Sequence, residues 1–236
     1  MSSYVLVHGA WHGAWCWYKI VPRLQALGHN VLAIDLPGNG IDRTPLAEVT
    51  HEGCAERVGQ ALDSLSEPAI LVGHSMGGLV IGRAAELRPE RVRKLVYLTA
   101  HVPLPGQTGR ESREMFVGPA TNPSAIPMEN GLASVVNRAI GREIFYGDCS
   151  DDDVALALLA LVPQAHTPMT TPIQLTAERY GRVPRVYIEC LQDRAIPIAG
   201  QRAFYKASPC QVFTMDASHS PFFSKPDELT GILAGL

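Results

Sequence analysis

The chain has no long apolar run, no cluster of basic residues and no paired-cysteine motif. None of its hydrophobic stretches approaches the roughly 20 residues that a membrane-spanning helix needs. Its 20 Lys and Arg are interspersed with 23 Asp and Glu, which gives a formal net charge of −3. This balance favours neither nucleic acid nor an anionic membrane surface. We therefore expect neither of them as a partner.

Cysteine is scarce, with five residues in an odd number and no C-x-x-C spacing. This pattern indicates no disulfide framework. The chain also begins without the basic stretch and long apolar segment of a secretory signal. We expect a protein of a reducing compartment, the cytoplasm.

Hydrophobic residues make up 46% of the 236 residues, which is enough for the core of one α/β domain. Short apolar runs alternate with segments of helical periodicity. The predicted strands cover 4–7, 31–35, 69–72, 95–98, 183–190 and 211–215. This alternation predicts about six mainly parallel strands with helices on both faces.

The composition changes at about Val102. Residues 102–131 are rich in Pro, Gly, Ser and Asn, and helical patterns return over 132–162. Because strand signals flank this region, we predict a core of 1–101 and 182–236 with a helical cap inserted at 102–181.

Two groups of residues have the composition of a metal site, but their local sequence favours another role. His8 and His12 are four residues apart, but the glycines near them argue against a helix, so we expect them to pin a loop by hydrogen bonds. The acids at 151–153 suit the positive end of a helix dipole. The sequence therefore predicts no metal.

The stretch 69–78 organises the rest of the chain. An apolar run meets Gly73-His74-Ser75-Met76-Gly77, and a helical pattern follows. A nucleophile elbow has this order of strand, sharp turn and helix, and it holds the serine hydroxyl above the sheet. Glycines at 73 and 77 allow neighbouring backbone to come close. A plain strand-to-helix turn is the alternative.

A serine nucleophile needs a base and a group that orients the base. Ligands of parallel sheets bind beyond the carboxyl ends of the strands. His219 follows the last strand and Asp193 follows the strand before it, in the chain order expected for such an elbow. His101 lies beside the cap, and Asp216 is too near His219 in sequence. We predict Ser75, Asp193 and His219 as a catalytic triad.

Attack on a carbonyl also requires donors for the oxyanion. We expect one from the amide of Met76, directly after the nucleophile. The second is expected from the amide of Ala10, in the glycine-containing loop after the first strand.

These motifs together resemble a known family. Val7-His8-Gly9-Ala10, the elbow at 73–78, the strand 185–188, Asp193 and His219 resemble the α/β-hydrolase superfamily. Within it they are similar to the branch of plant methylesterases, hydroxynitrile lyases and bacterial pyrethroid-hydrolysing esterases. The resemblance implies the α/β-hydrolase fold, the triad and oxyanion residues above, a small-molecule ester substrate, no cofactor and a homodimer.

The branch contains two chemistries that differ at two positions. The resemblance implies that a lyase carries threonine before the first oxyanion residue and lysine after the catalytic histidine. Gly9 and Ser220 occupy these positions here, so no cation stabilises a departing cyanide. We predict a carboxylic ester hydrolase with an acyl-enzyme intermediate. A hydroxynitrile lyase and a slow-turnover ligand-binding protein of the same fold are the alternatives.

The substrate is expected to be a small to medium, largely apolar ester. Large apolar residues beside the predicted site could line its pocket, although helical spacing also suits some of them to the core. The predicted pocket residues are Trp11, Phe116, Met128, Phe145, Leu158 and Phe222.

Overall fold

A computed structural model describes residues 1–117, 124–128 and 131–236. The first part of the chain alternates strands and helices as the sequence predicts. Its elements are β1 (Ser3–Val7), α1 (Ile20–Ala26), β2 (Asn30–Ile34), α2 (His51–Asp63), β3 (Ala69–His74), α3 (Gly77–Leu87) and β4 (Val92–Leu98). Short 3₁₀ turns occupy Ala14–Trp17 and Pro89–Arg91.

The next segment contains both helices and short strands. Its elements are α4 (Gly109–Val117), β5 (Ala125–Pro127), β6 (Ala133–Val136), α5 (Arg138–Phe145), α6 (Asp151–Ala160), β7 (Gln164–Ala165) and α7 (Thr167–Thr170). The three strands pair antiparallel in the order β5-β6-β7. The sequence analysis did not predict this small sheet within the helical cap, because strands of two to four residues leave no readable periodicity.

The chain then returns to the main sheet after a 3₁₀ turn at Tyr180–Arg182. The last elements are β8 (Arg185–Cys190), α8 (Ile198–Ala207), β9 (Gln211–Met215), α9 (Pro221–Ser224) and α10 (Pro226–Ala234). Six strands form the sheet in the order β2-β1-β3-β4-β8-β9, and every neighbouring pair is parallel. The predicted α/β-hydrolase fold is confirmed.

Helices cover both faces of this sheet. Alternate residues of β1 enter different clusters: Val5 packs with residues of α2 and α3, whereas Leu6 packs with residues of α1 and α10. Because both faces of the sheet are buried, the sequences of these strands are continuous apolar runs. In the described ranges, none of the helices is long and apolar enough to cross a membrane.

The start of α3 lies in close contact with the ends of β1 and β4. A Cβ on Gly77 would lie 2.6 Å from the carbonyl oxygen of His8, and one on Gly78 would lie 2.2 Å from that of His101. A Cβ on Gly73 would lie 2.8 Å from the carbonyl oxygen of Gly77. Only glycine therefore allows the helix to begin directly above the carboxyl edge of the sheet.

We expect Gly78→Ala to lower the free energy of unfolding by about 1–3 kcal/mol, because the new methyl group meets fixed backbone. The matched control is Gly231→Ala in α10, where an added Cβ meets nothing within 4 Å. Removing that helical glycine should stabilise the protein by roughly 0.5–1 kcal/mol. Urea unfolding of both variants tests the close contact, and equal stabilities would contradict it.

Candidate active site

Ser75 lies in the tight turn between β3 and α3 with φ of 53°, the left-handed region that non-glycine residues rarely adopt. Its amide donates to the carbonyl of Leu98 at 3.3 Å. Its own carbonyl accepts from the amides of Gly78 and His101, each at 3.1 Å. These three bonds fix the strained conformation and hold the side chain above the sheet.

Asp193 follows β8 and is the common acceptor of four donors. One carboxylate oxygen accepts from Nδ1 of His219 at 2.6 Å and from the hydroxyl of Thr99. The other accepts from the amides of Ala195 at 2.7 Å and Ile196 at 2.8 Å. The carboxylate and imidazole are both buried. The bond at Nδ1 fixes the ring orientation of His219 and leaves Nε2 as its basic nitrogen.

His219 is also held through its backbone. Nε2 of His74 donates to the carbonyl of His219 at 2.8 Å, and the two ring centroids lie 4.6 Å apart. The histidine before Ser75 therefore ties the elbow to the loop after β9. Among the described residues, no hydrogen bond joins the Ser75 hydroxyl to His219. Catalytic hydrogen bonds of this kind commonly tighten only in the substrate complex.

Ala10 and Met76 line the same cavity as Ser75. Within the described part of the chain, the amides of both residues donate to no acceptor. The next amide, of Trp11, donates to the side chain of Gln164 at 3.1 Å, and Trp11 has φ of 64°. Two unpaired amides beside a serine are chemically able to donate hydrogen bonds to an oxyanion.

The cavity above Ser75 has a volume of about 480 Å³. The core contributes the ends of its strands and loops. Much of the remaining wall comes from the segment between β4 and β8, including Arg113, Phe145, Gln164 and Met169. The segment thus forms much of the wall of the cavity above Ser75.

Two of the predicted pocket residues belong to this wall. Trp11 and Phe145 line the cavity with ring centroids 5.7 Å apart, and the Trp11 indole donates to the carbonyl of Ser134 at 3.0 Å. The indole is therefore held in place by the segment that covers it.

Four other predicted pocket residues do not appear among the described wall residues. Phe222 is fully buried behind the elbow, with its ring 4.9 Å from that of His74. Phe116 packs against Phe204 at 5.3 Å. Leu158 packs on the core face that contains α1. Met128 lies in the turn between β5 and β6, where its amide donates to the carbonyl of Ala133.

The family model described as the alpha/beta hydrolase family matches residues 4–231. The chain belongs to the alpha/beta hydrolase family.

Known relatives of this hydrolase extend over nearly the whole chain. Methylesterase 1 of Arabidopsis thaliana is 35% identical, covering 97% of this chain and 93% of its own length. A pyrethroid hydrolase from Sphingobium faniae JZ-2 has a TM-score of 0.87 at 31% identity, covering 99% of this chain and 96% of that one. Tomato methylketone synthase I, solved as a variant with beta-ketoheptanoate, has a TM-score of 0.89 at 28% identity with the same coverage.

Two buried histidines of the hydrolase pin the loop after β1, as the sequence predicts. His8 donates from Nδ1 to the carbonyl of Gly9 at 2.8 Å and accepts at Nε2 from the amide of Leu36 at 3.1 Å. His12 bonds the carbonyl of Ala10 and the hydroxyl of Tyr146, each at 2.8 Å. In the described ranges, no group of three or more His, Cys, Asp or Glu is placed to hold a metal ion.

The sequence did not indicate that Gln164 and Arg113 belong to the wall of the cavity. Oε1 of Gln164 accepts from the amide of Trp11 and from Asn39, each at 3.1 Å, and so holds the loop that carries Ala10. A polar residue in a short strand or on a helix face gives no sequence signal of what it meets in space.

Burial lowers the pKa of His12 to about 3. A histidine protonates more readily in the unfolded chain, near its usual pKa of about 6.5, so stability is full above that pH and is lost as the pH falls toward 3. We expect His12 alone to account for about 2 kcal/mol of lost stability between pH 7 and pH 5. Urea unfolding at both pH values should show a smaller loss in His12→Asn than in the wild type. Equal losses would contradict this assignment.

Proposed function

We propose that the chain is a carboxylic ester hydrolase, a serine carboxylesterase of the EC 3.1.1 type that works through an acyl-enzyme on Ser75. The observation that carries this proposal is the buried 2.6 Å hydrogen bond between Asp193 and His219 beside the strained elbow. Nδ1 of His219 is committed to the carboxylate, so Nε2 is the nitrogen that takes the serine proton.

In the first half-reaction, Oγ of Ser75 forms a bond to the ester carbonyl carbon while Nε2 of His219 accepts its proton. The carbonyl electron pair moves onto oxygen, where the amides of Ala10 and Met76 stabilise the charge. When the tetrahedral intermediate collapses, the ester C–O bond breaks and His219 gives its proton to the leaving alcohol. Water, deprotonated by His219, then releases the acid and restores Ser75.

The relatives support ester hydrolysis, since they include proteins named methylesterases and pyrethroid hydrolases. We propose small to medium, largely apolar esters as substrates, because the cavity of about 480 Å³ has Phe145, Met169 and Ile196 in its wall. In this proposal, residues 102–181 act as a cap that covers the bound ester and limits its contact with bulk solvent. A homodimer stays a prediction from the resemblance, and analytical ultracentrifugation tests it. The cytoplasmic location stays a prediction from the cysteine content and the N-terminal sequence.

A cyanohydrin lyase on the same scaffold would need a positive charge beside His219. The next residue is Ser220, a neutral and fully buried side chain. Ester hydrolysis therefore fits the site better.

We expect Ser75→Ala to abolish turnover of p-nitrophenyl acetate, because no other oxygen takes the place of Oγ. Ser75→Gly should be equally inactive, but its free energy of unfolding should be roughly 1 kcal/mol higher than that of Ser75→Ala, since glycine relieves the strain of a positive φ. Initial rates and thermal unfolding of both variants are the measurements. Activity of Ser75→Ala near the wild-type rate would refute the mechanism.

Asp193→Asn should lower kcat by about 10⁴-fold, as expected when the group that orients the base is replaced by an amide. Asp216→Asn is the matched control, because Asp216 lies near His219 in sequence but is exposed and accepts from Gln192. It should keep kcat within about threefold of the wild type, as surface substitutions usually have small effects. Similar losses in both variants would contradict the role of Asp193.

A further inference from the structure

Trp11 follows Ala10 in the loop after β1, and all of its polar groups bond to the segment between β4 and β8. Its amide donates to Oε1 of Gln164 at 3.1 Å, and its indole Nε1 donates to the carbonyl of Ser134 at 3.0 Å. Its carbonyl accepts from the amide of Val162 at 3.0 Å. A tryptophan has no further group that forms such bonds, so this segment satisfies all of them.

Two of these partners face each other in the small sheet. Ser134 of β6 lies directly opposite Gln164 of β7 in the antiparallel register. Gln164 is buried, and its Nε2 donates to the carbonyl of Ala165 at 3.1 Å. Its Oε1 accepts from Nδ2 of Asn39 as well as from the amide of Trp11, each at 3.1 Å. The side-chain amide of Gln164 is therefore fixed at both its oxygen and its nitrogen.

The peptide unit that joins Ala10 to Trp11 is held on both sides. Its N–H donates to Gln164, and its carbonyl oxygen accepts from Nδ1 of His12 at 2.8 Å. Trp11 has φ of 64°, a left-handed conformation that is costly for a residue with a side chain. Such strain persists only where the surrounding structure holds it. The two bonds therefore maintain a strained backbone directly after the amide of Ala10.

We propose that Gln164 is a positioning residue that places the amide of Ala10 for the oxyanion by holding the amide of Trp11. This inference rests on the proposed reaction at Ser75, in which the Ala10 amide stabilises the charged oxygen of the tetrahedral intermediate. Gln164 acts through the backbone of the loop. Since it belongs to the segment that covers the cavity, the oxyanion site is complete only when this segment is docked on the core.

A purely structural role of Gln164 predicts a different result from a positioning role. Bonds that only fix the segment on the core contribute to stability and to the binding of every ligand in the cavity alike. A bond that positions an oxyanion donor contributes more to the transition state than to the ground state. The two roles are therefore separated by two ligands of similar size, of which only one forms an oxyanion.

The ligands are 1,1,1-trifluorooctan-2-one and octan-2-one. Oγ of Ser75 forms a bond to the carbonyl carbon of the trifluoromethyl ketone. The carbonyl electron pair moves onto oxygen, and the serine proton passes to His219. Octan-2-one has the same chain but a much less electrophilic carbonyl, so its Ki measures binding in the cavity without the oxyanion.

We expect Gln164→Met to raise the Ki of the trifluoromethyl ketone by about 10- to 100-fold, a part of the effect of losing an oxyanion donor. Methionine has a similar length but accepts no strong hydrogen bond from the Trp11 amide. The kcat/KM for p-nitrophenyl acetate should fall by a similar factor, whereas the Ki of octan-2-one should stay within about threefold. Gln164→Glu should restore most of the inhibitor affinity, because its carboxyl group offers an oxygen in the same place.

Thr167→Val is the matched control. The hydroxyl of Thr167 donates to the carbonyl of Val49 at 2.6 Å, so it also joins the segment to the core. Among the described residues, it forms no bond to the loop that carries Ala10. Urea unfolding should show both this variant and Gln164→Met to be less stable than the wild type, but Thr167→Val should keep both Ki values within about threefold. If Gln164→Met does not fold, Gln164→Asn tests the same bond, because its amide ends one methylene short of Trp11.

Unchanged affinity of Gln164→Met for the trifluoromethyl ketone, or an equal loss for both ketones, would overturn the positioning role even where the wild type hydrolyses esters. A loss confined to the trifluoromethyl ketone and recovered in Gln164→Glu supports the role, even where none of the tested esters is a substrate. A wild type that binds both ketones equally stabilises no oxyanion, and this result would overturn the inference as well.

Discussion

The carboxylate of Asp193 is the acceptor on which the rest of the site depends. It receives the hydroxyl of Thr99 at the end of β4, the amides of its own turn and the imidazole of His219 after β9. Because β4, β8 and β9 are neighbours in a parallel sheet, their carboxyl ends meet at one edge. The bonds satisfy a buried carboxylate that would otherwise be costly to bury, and they orient the imidazole of His219.

Close backbone packing determines the position of the elbow at this edge of the sheet. Glycines at its flanks allow α3 to start against the ends of β1 and β4, and Ser75 takes a left-handed conformation there. The bond from the side chain of His74 to the His219 carbonyl then ties the residue before Ser75 to the backbone of His219. Local strain is tolerated because a continuous apolar sheet, buried on both faces, supports it.

The core was predictable because burial on both faces leaves a strong sequence pattern: β9 occupies the predicted 211–215, and β8 begins two residues inside its prediction. The insert was less readable. Its short strands have no period, and Phe222 was predicted in the pocket although it packs behind the elbow. Phe222 is close to His219 in sequence, but this closeness does not determine on which side of the sheet its side chain packs. The bond from the amide of Trp11 to Gln164 joins two segments far apart in the sequence, so it is visible only in three dimensions.

We propose that the Asp193–His219 pair activates the oxygen of Ser75. Reaction with a fluorophosphonate, followed by mass spectrometry of the digested protein, tests it most directly, because the reagent loses fluoride only to a nucleophilic oxygen. We predict one adduct per chain, located on Ser75, and much slower labelling when Asp193 is replaced by asparagine. An unlabelled Ser75, or an adduct on another serine such as Ser218, would contradict the claim.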